Sequence, residues 1–171
     1  VSPTLAYQFN RLLRGSVPFA ITVLLALMSV VPIGIAGYAI VTPSFAAISV
    51  FYWSIHRPYL MAPPLCFVLG LLSDCLTGAP LGLSSFLYLL IHAMAVSQRR
   101  IFIGKAFVLT WFGYFLIGFL IAMLSWMIAC FYSLAILPLT PVLVQYALSL
   151  LVFPLFAWGF GILQNNLLRL T

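Results

Sequence analysis

Ser97-Gln98-Arg99-Arg100-Ile101-Phe102-Ile103-Gly104-Lys105 is a short basic gap in a chain that is otherwise almost continuously apolar. Arg99, Arg100 and Lys105 are three of the seven Lys and Arg residues in the whole sequence. Working outward, Arg57 stands in the gap Ser54-Ile55-His56-Arg57-Pro58, Arg11 and Arg14 precede the first apolar run, and Arg169 lies near the end. If each gap-to-gap stretch holds one out-and-back pair of helices, every cation falls on the same side. An excess of Lys and Arg marks the cytoplasmic loops of membrane proteins. The pattern predicts an all-α bundle of six transmembrane helices, with both termini cytoplasmic and three short hairpin ends outside.

Composition points the same way. Of 171 residues, 65% are hydrophobic and 5% charged, against roughly 25% charged in a soluble domain. Mean hydropathy is +1.26. No polar stretch is long enough to fold as a soluble domain, so residues 1–171 read as one integral membrane domain. Two arginines precede the first apolar run, as in a signal peptide, but no small-residue cleavage site follows. Val1 is not a start methionine, as expected of a trimmed chain. The net charge of +6 would suggest nucleic acid in a soluble protein. Here the cations flank spans, and contact with anionic lipid is the expected reading, with no nucleic-acid partner. Cys66 and Cys75 lie about 13 Å apart along one helix, too far to bridge. With Cys130 they read as small buried apolar residues without a disulfide.

A span needs about 20 apolar residues. The expected spans are about 16–36, 40–56, 60–77, 82–98, 106–132 and 142–168. Pro32, Gly34 and Gly37 break the pattern after the first. The second has two readings. Thr42-Pro43 is an N-cap followed by proline at the first helical position, which leaves a short helix; or the helix starts near Tyr38 and kinks at Pro43. Thr77-Gly78-Ala79-Pro80-Leu81-Gly82 reads as a tight turn, with Gly78 and Gly82 at positive φ. Trp53, Tyr59, Trp111 and Tyr114 fall within reach of one membrane boundary, and Tyr38 and Tyr132 near the other, as aromatic belts. Gly118 with Ala122, Ser125 with Ala129, and Ala157 with Gly161 are small pairs at helix-packing spacing.

Asp74 is the sole acidic residue. A carboxylate in a span needs a partner. Simple antiparallel helices at 1.5 Å per residue put His92 about 12 Å away in depth, so the Gly78–Gly82 turn backbone, Ser73 or Ser84 are nearer candidates. Gly70, Ser73, Thr77 and Gly78 share the Asp74 face, where hydrogen bonds are expected to hold the carboxyl group in either protonation state. Asparagine at this position is therefore expected to retain assembly. His56-Arg57-Pro58 reads as an interfacial histidine with a topology-setting arginine; the sharper reading is a cytoplasmic docking point stiffened by Pro58, Pro63 and Pro64. Arg99-Arg100 reads as a stop signal.

Enzymatic readings lack material. Two histidines, one aspartate and three scattered cysteines give no metal cluster. An aspartyl dyad needs two carboxylates. Gly82-Leu83-Ser84-Ser85 lacks the final glycine of the intramembrane serine protease motif. Ser84 and His92 lie about 12 Å apart along one helix. No phosphate-binding loop occurs. The expectation is no enzyme and no cofactor.

Phe51-Tyr52-Trp53-Ser54-Ile55-His56-Arg57-Pro58, then Leu69-Gly70-Leu71-Leu72-Ser73-Asp74, then Gly78-Ala79-Pro80-Leu81-Gly82 resembles the MreD family of rod shape-determining membrane proteins. Ser97-Gln98-Arg99-Arg100 is similar to proteobacterial members. The resemblance covers about 51–100. It implies a multi-pass subunit of the bacterial inner membrane, in the elongation machinery that guides lateral peptidoglycan synthesis. The implied partners are MreC, the MreB filament, a RodA-type glycosyltransferase and a class B penicillin-binding transpeptidase. It carries over no catalytic residue. Gly70, Asp74, Gly78, Pro80, Gly82, Trp53, His56, Arg57, Pro58, Arg99 and Arg100 are the candidate structural or partner-binding residues. The alternative is the substrate-binding subunit of a vitamin-type energy-coupling transporter, also a six-helix fold; its Ala-x-x-x-Ala docking motif is missing from the sequence. A lipid or precursor flippase is a third class, which would normally hold more than one buried charge.

Overall fold

The computed structural model describes residues 18–29, 42–102 and 107–167. Arg11, Arg14, Lys105, Arg169, Tyr38 and the break at Pro32, Gly34 and Gly37 lie outside them. Among the described residues the regular structure is all helical. The helices are α1 (Pro18–Met28), α2 (Phe45–His56), α3 (Pro63–Thr77), α4 (Leu83–Ser97), α5 (Arg99–Phe102), α6 (Phe107–Ser133) and α7 (Thr140–Leu167).

Proline and glycine set most of the ends. Pro63 and Pro64 occupy the first turn of α3, where a missing N–H costs nothing. Gly78 ends that helix at φ 69°, the left-handed position that glycine fills without a Cβ penalty. The chain then reverses through Pro80-Leu81-Gly82-Leu83, where Leu83 N–H donates to Pro80 O at 3.1 Å. Gly82 sits at φ 99° and ψ −13°, the third position of a type II turn. Pro58 disfavours helical backbone at Arg57, and α2 ends at His56.

The 12-residue α2 is the centre of the bundle: every residue from Ala46 to Ile55 is buried. The hairpin α3–α4 packs on it through α4, α7 packs on it from another side, and α6 bridges α4 and α7. Helices α6 and α7 are long and apolar enough to cross a membrane, with mean hydropathy 2.2 and 1.9 over their best windows. They turn large side chains outward, including Val108, Leu116, Leu151 and Trp158. Such faces suit lipid or partner helices and not water.

Several expectations change. The second helix begins at Phe45, with Ser44 at its N-cap and no side-chain cap bond. It is short, as in the first reading, but Thr42 is not its cap and Pro43 precedes the helix instead of opening it. The alternative start near Tyr38 lies outside the described residues. At 1.5 Å per residue α2 is about 18 Å long, and α3 and α4 are about 22 Å. All three are shorter than a bilayer core of roughly 30 Å. Trp53 is not a belt residue: it is fully buried, and its indole N–H has no partner among the described residues. Tyr114 is buried too, stacked on Phe153 at 4.6 Å between ring centroids. Aromatic residues on the face towards α2 fill the core instead of the interface. Tyr59 and Tyr132 are exposed. The three thiols are free, but only Cys66 is buried; Cys75 is exposed and Cys130 half-buried, because Cys75 falls on the outer face of α3.

Candidate functional site

The candidate residues divide into two groups at opposite ends of the bundle. Gly70, Asp74, Gly78, Pro80 and Gly82 build the hairpin of α3 and α4. Trp53, His56, Arg57, Pro58, Arg99 and Arg100 gather where α2 ends and α5 begins.

Asp74 is 1% exposed. Its Oδ2 accepts the N–H of Gly82 at 2.7 Å, and its Oδ1 accepts the N–H of Ser84 at 2.9 Å. Gly82 stands at the N-cap of α4 and has no side chain to cap it. The turn needs glycine there, so the capping oxygens come from the preceding helix. A carboxylate at a helix N-terminus satisfies donors that the helix leaves open and meets the positive end of its dipole. The turn backbone expected from sequence therefore supplies Asp74's partners. Ser73, next to it, pairs with the Tyr88 hydroxyl at 3.2 Å, and Thr77 Oγ1 donates to Ser73 O at 2.9 Å.

Gly70 holds α3 against α4. A Cβ built on it would lie 2.2 Å from Ser85 Cα, a distance no packed structure tolerates. Beside that crossing, Ser85 Oγ donates to Phe67 O at 3.0 Å. Gly78 and Gly82 have open space around the Cβ position. The turn is tight and holds both glycines at positive φ, as expected; its demand on them is that backbone conformation and not lack of space.

At the other end, Arg99 Nε donates to Ile55 O at 3.0 Å. This cation closes the C-terminus of α2, where the helix dipole is negative. Read from sequence as a stop signal, Arg99 is also a tertiary cap; the 44-residue separation hides that role from any local pattern. The His56 ring stacks on Tyr52 at 4.1 Å, and its Nδ1 lies 3.0 Å from Tyr52 O. Arg57 donates to the Tyr59 hydroxyl and lies over the Tyr59 ring, 5.8 Å from its centroid. Pro58 follows in a turn in which Leu60 N–H donates to Arg57 O at 3.0 Å. Arg100 is exposed.

His92, set aside as a partner for Asp74, pairs with Ser54: Oγ and Nδ1 are 2.9 Å apart. This links α2 to α4, as Thr22 and Ser49 link α1 to α2 at 2.7 Å. Two further features were missed. Pro154 stands inside α7 and donates no hydrogen bond to Leu150 O, the carbonyl four residues earlier. Trp111 Nε1 on α6 donates to that carbonyl at 3.2 Å. Likewise Tyr146 on α7 donates to Phe115 O on α6 at 2.7 Å. A proline inside a long apolar run was the available signal for the first.

The geometry defines a class: an all-helical bundle with two helices long and apolar enough to cross a membrane, whose polar side chains bond helix to helix and cap helix ends. The model of the family described as rod shape-determining protein MreD matches residues 9–165. No curated protein and no solved structure matches the chain. With nearly the whole sequence matched, the chain belongs to the MreD family of rod shape-determining membrane proteins.

Proposed function

We propose that this chain is a non-enzymatic scaffold subunit of the bacterial cell-elongation complex, crossing the inner membrane six times with both termini cytoplasmic. The family match over residues 9–165 carries the reading. The side-chain chemistry supports it: Asp74, His92, Arg99 and Trp111 all face neighbouring helices or turns at hydrogen-bond distance. Polar groups used in this way position helices. The proposed partners are MreC, a RodA-type glycosyltransferase, a class B penicillin-binding transpeptidase and the MreB filament, with anionic lipid at the basic end. Their contact surfaces would be the apolar faces of α6 and α7 within the bilayer and the His56–Pro58 and Arg99–Arg100 segments outside it.

The test is purification of the tagged full chain from its own cells in mild detergent, with identification of what comes with it. Recovery of peptidoglycan-synthesis proteins is the expected result. Recovery of an ATP-hydrolysing coupling subunit in their place would overturn the scaffold reading in favour of a transporter.

A further inference from the structure

Among the described residues, the centre of the bundle is filled at one end and open at the other. The Ser44 N–H, at the start of α2, donates to Ser149 Oγ on α7 at 2.9 Å. Ser149 lies about two and a half turns into α7, or about 13 Å from its start. The outer helices therefore continue past the point where the central helix stops. The space beyond is a cavity of about 310 Å³, at the small end of the roughly 300–1,000 Å³ range of ligand pockets. It lies at the end opposite Arg57 and Arg99.

Its lining has a definite chemistry. Ile91, Ile117 and Ile121 form apolar wall, while Tyr88, Gln145 and Ser149 bring hydroxyl and amide groups. Among the described residues none of the lining side chains is Asp, Glu, Lys, Arg or His. Asp74, one residue from the lining Ser73, is committed to the turn. A charged molecule would find no counter-charge there. At the cavity floor, Phe45 N–H bonds to Pro43 O and Ile48 N–H to Ser44 O. The N–H groups of Ala46 and Ala47 between them meet no acceptor among the described residues, and both alanines line the cavity.

We propose that this cavity is a binding site for a small uncharged amphiphile: an apolar body carrying hydroxyl or carbonyl oxygens that accept from the first turn of α2. A glycerol ester has this chemistry, either as part of a neutral lipid drawn from the bilayer or as a free solute. The site does not depend on the scaffold reading, because a scaffold and a transporter subunit could each hold such a molecule.

The test is native mass spectrometry and thermal unfolding of the full chain in detergent. Mono-oleoylglycerol is the lipid probe, and glycerol monoacetate is the water-soluble probe with the same polar group. Ala122 lines the cavity from α6, and Ala122→Phe fills it; Ala122→Leu does so with less volume and stands in if the phenylalanine variant does not fold. Leu120→Phe, on the outward face of the same helix, is the control. A single adduct and a raised unfolding midpoint are expected for wild type and Leu120→Phe, with both lost in the folded Ala122 variant. Binding of mono-oleoylglycerol alone assigns the site to a bilayer lipid. Binding of the monoacetate as well assigns it to a solute. No adduct with either probe, or equal adducts in the Ala122 variant, overturns the proposal.

Discussion

Asp74 uses both of its oxygens at once, each on a different backbone N–H. That arrangement revises what substitution there should do. Asparagine offers one oxygen, and its amide would set N–H against the second donor. Asp74→Asn should therefore cost part of the stability, and Asp74→Leu should cost more, with both donors left open at about 1–3 kcal/mol each. Unfolding midpoints of the purified full chain and rescue of rod shape would rank wild type, Asn and Leu in that order. An Asn variant as stable as wild type would sink the two-acceptor account. Two glycines on the same hairpin differ in kind. Gly70→Ala drives a Cβ into the Ser85 backbone, so α3 and α4 must separate, at about 2–3 kcal/mol or more. Gly78→Ala meets open space and bears only the left-handed backbone penalty of about 1–2 kcal/mol. Denaturant unfolding of the two variants should show the first as the more damaging. The sequence marked both glycines. Which of them resists by contact and which by φ depends on the helix crossing, which no local pattern contains.

At the scale of elements, the pair α6–α7 is joined where α7 is weakest. The carbonyl of Leu150 loses its usual donor to Pro154 and gains the indole of Trp111. Within a membrane an open carbonyl is costly, and neighbouring helices supply its partner. Trp111→Phe keeps the ring and removes the donor, so it should destabilise by about 0.6–1.7 kcal/mol. In a Pro154→Ala background the residue at 154 again has an N–H for Leu150 O, and the Trp111 substitution should cost less. A double-mutant cycle on unfolding free energy measures the difference. Equal costs in both backgrounds would show that the indole bond does not depend on the proline. The same scale explains α2. Pro43 and Pro58 confine the helix to the residues between them, and the longer α6 and α7 enclose it.

For the whole molecule, the described cations agree with the charge pattern: Arg99 donates to the carbonyl of Ile55, two residues from Arg57, so these cations share one end of the bundle. Reporter fusions after Gln98 and after Thr171 should read as cytoplasmic, and a fusion after Ala135, between α6 and α7, as external. An external reading at Thr171 would remove one crossing and break the six-span scheme. Helices α2, α3 and α4 are shorter than a typical bilayer core, so the six-span reading requires local thinning or tilt of the longer elements.

The sequence by itself determined the helical class, most helix ends and the family. It could do so because apolar length, proline, glycine and the placement of cations act locally, through hydrogen-bond supply and charge at the membrane surface. For Asp74 the sequence already pointed to the turn backbone; tertiary structure alone decided the other partners: Arg99 with the end of α2, His92 with Ser54, Trp111 with Leu150. It also decided that Trp53 and Tyr114 are core residues and that the described helices leave a cavity beyond the start of α2. Each of these depends on which faces of distant helices meet. In a chain this uniformly apolar the helix faces carry little hydrophobic contrast, so their choice of neighbour rests on shape and on a few buried polar groups far apart in sequence.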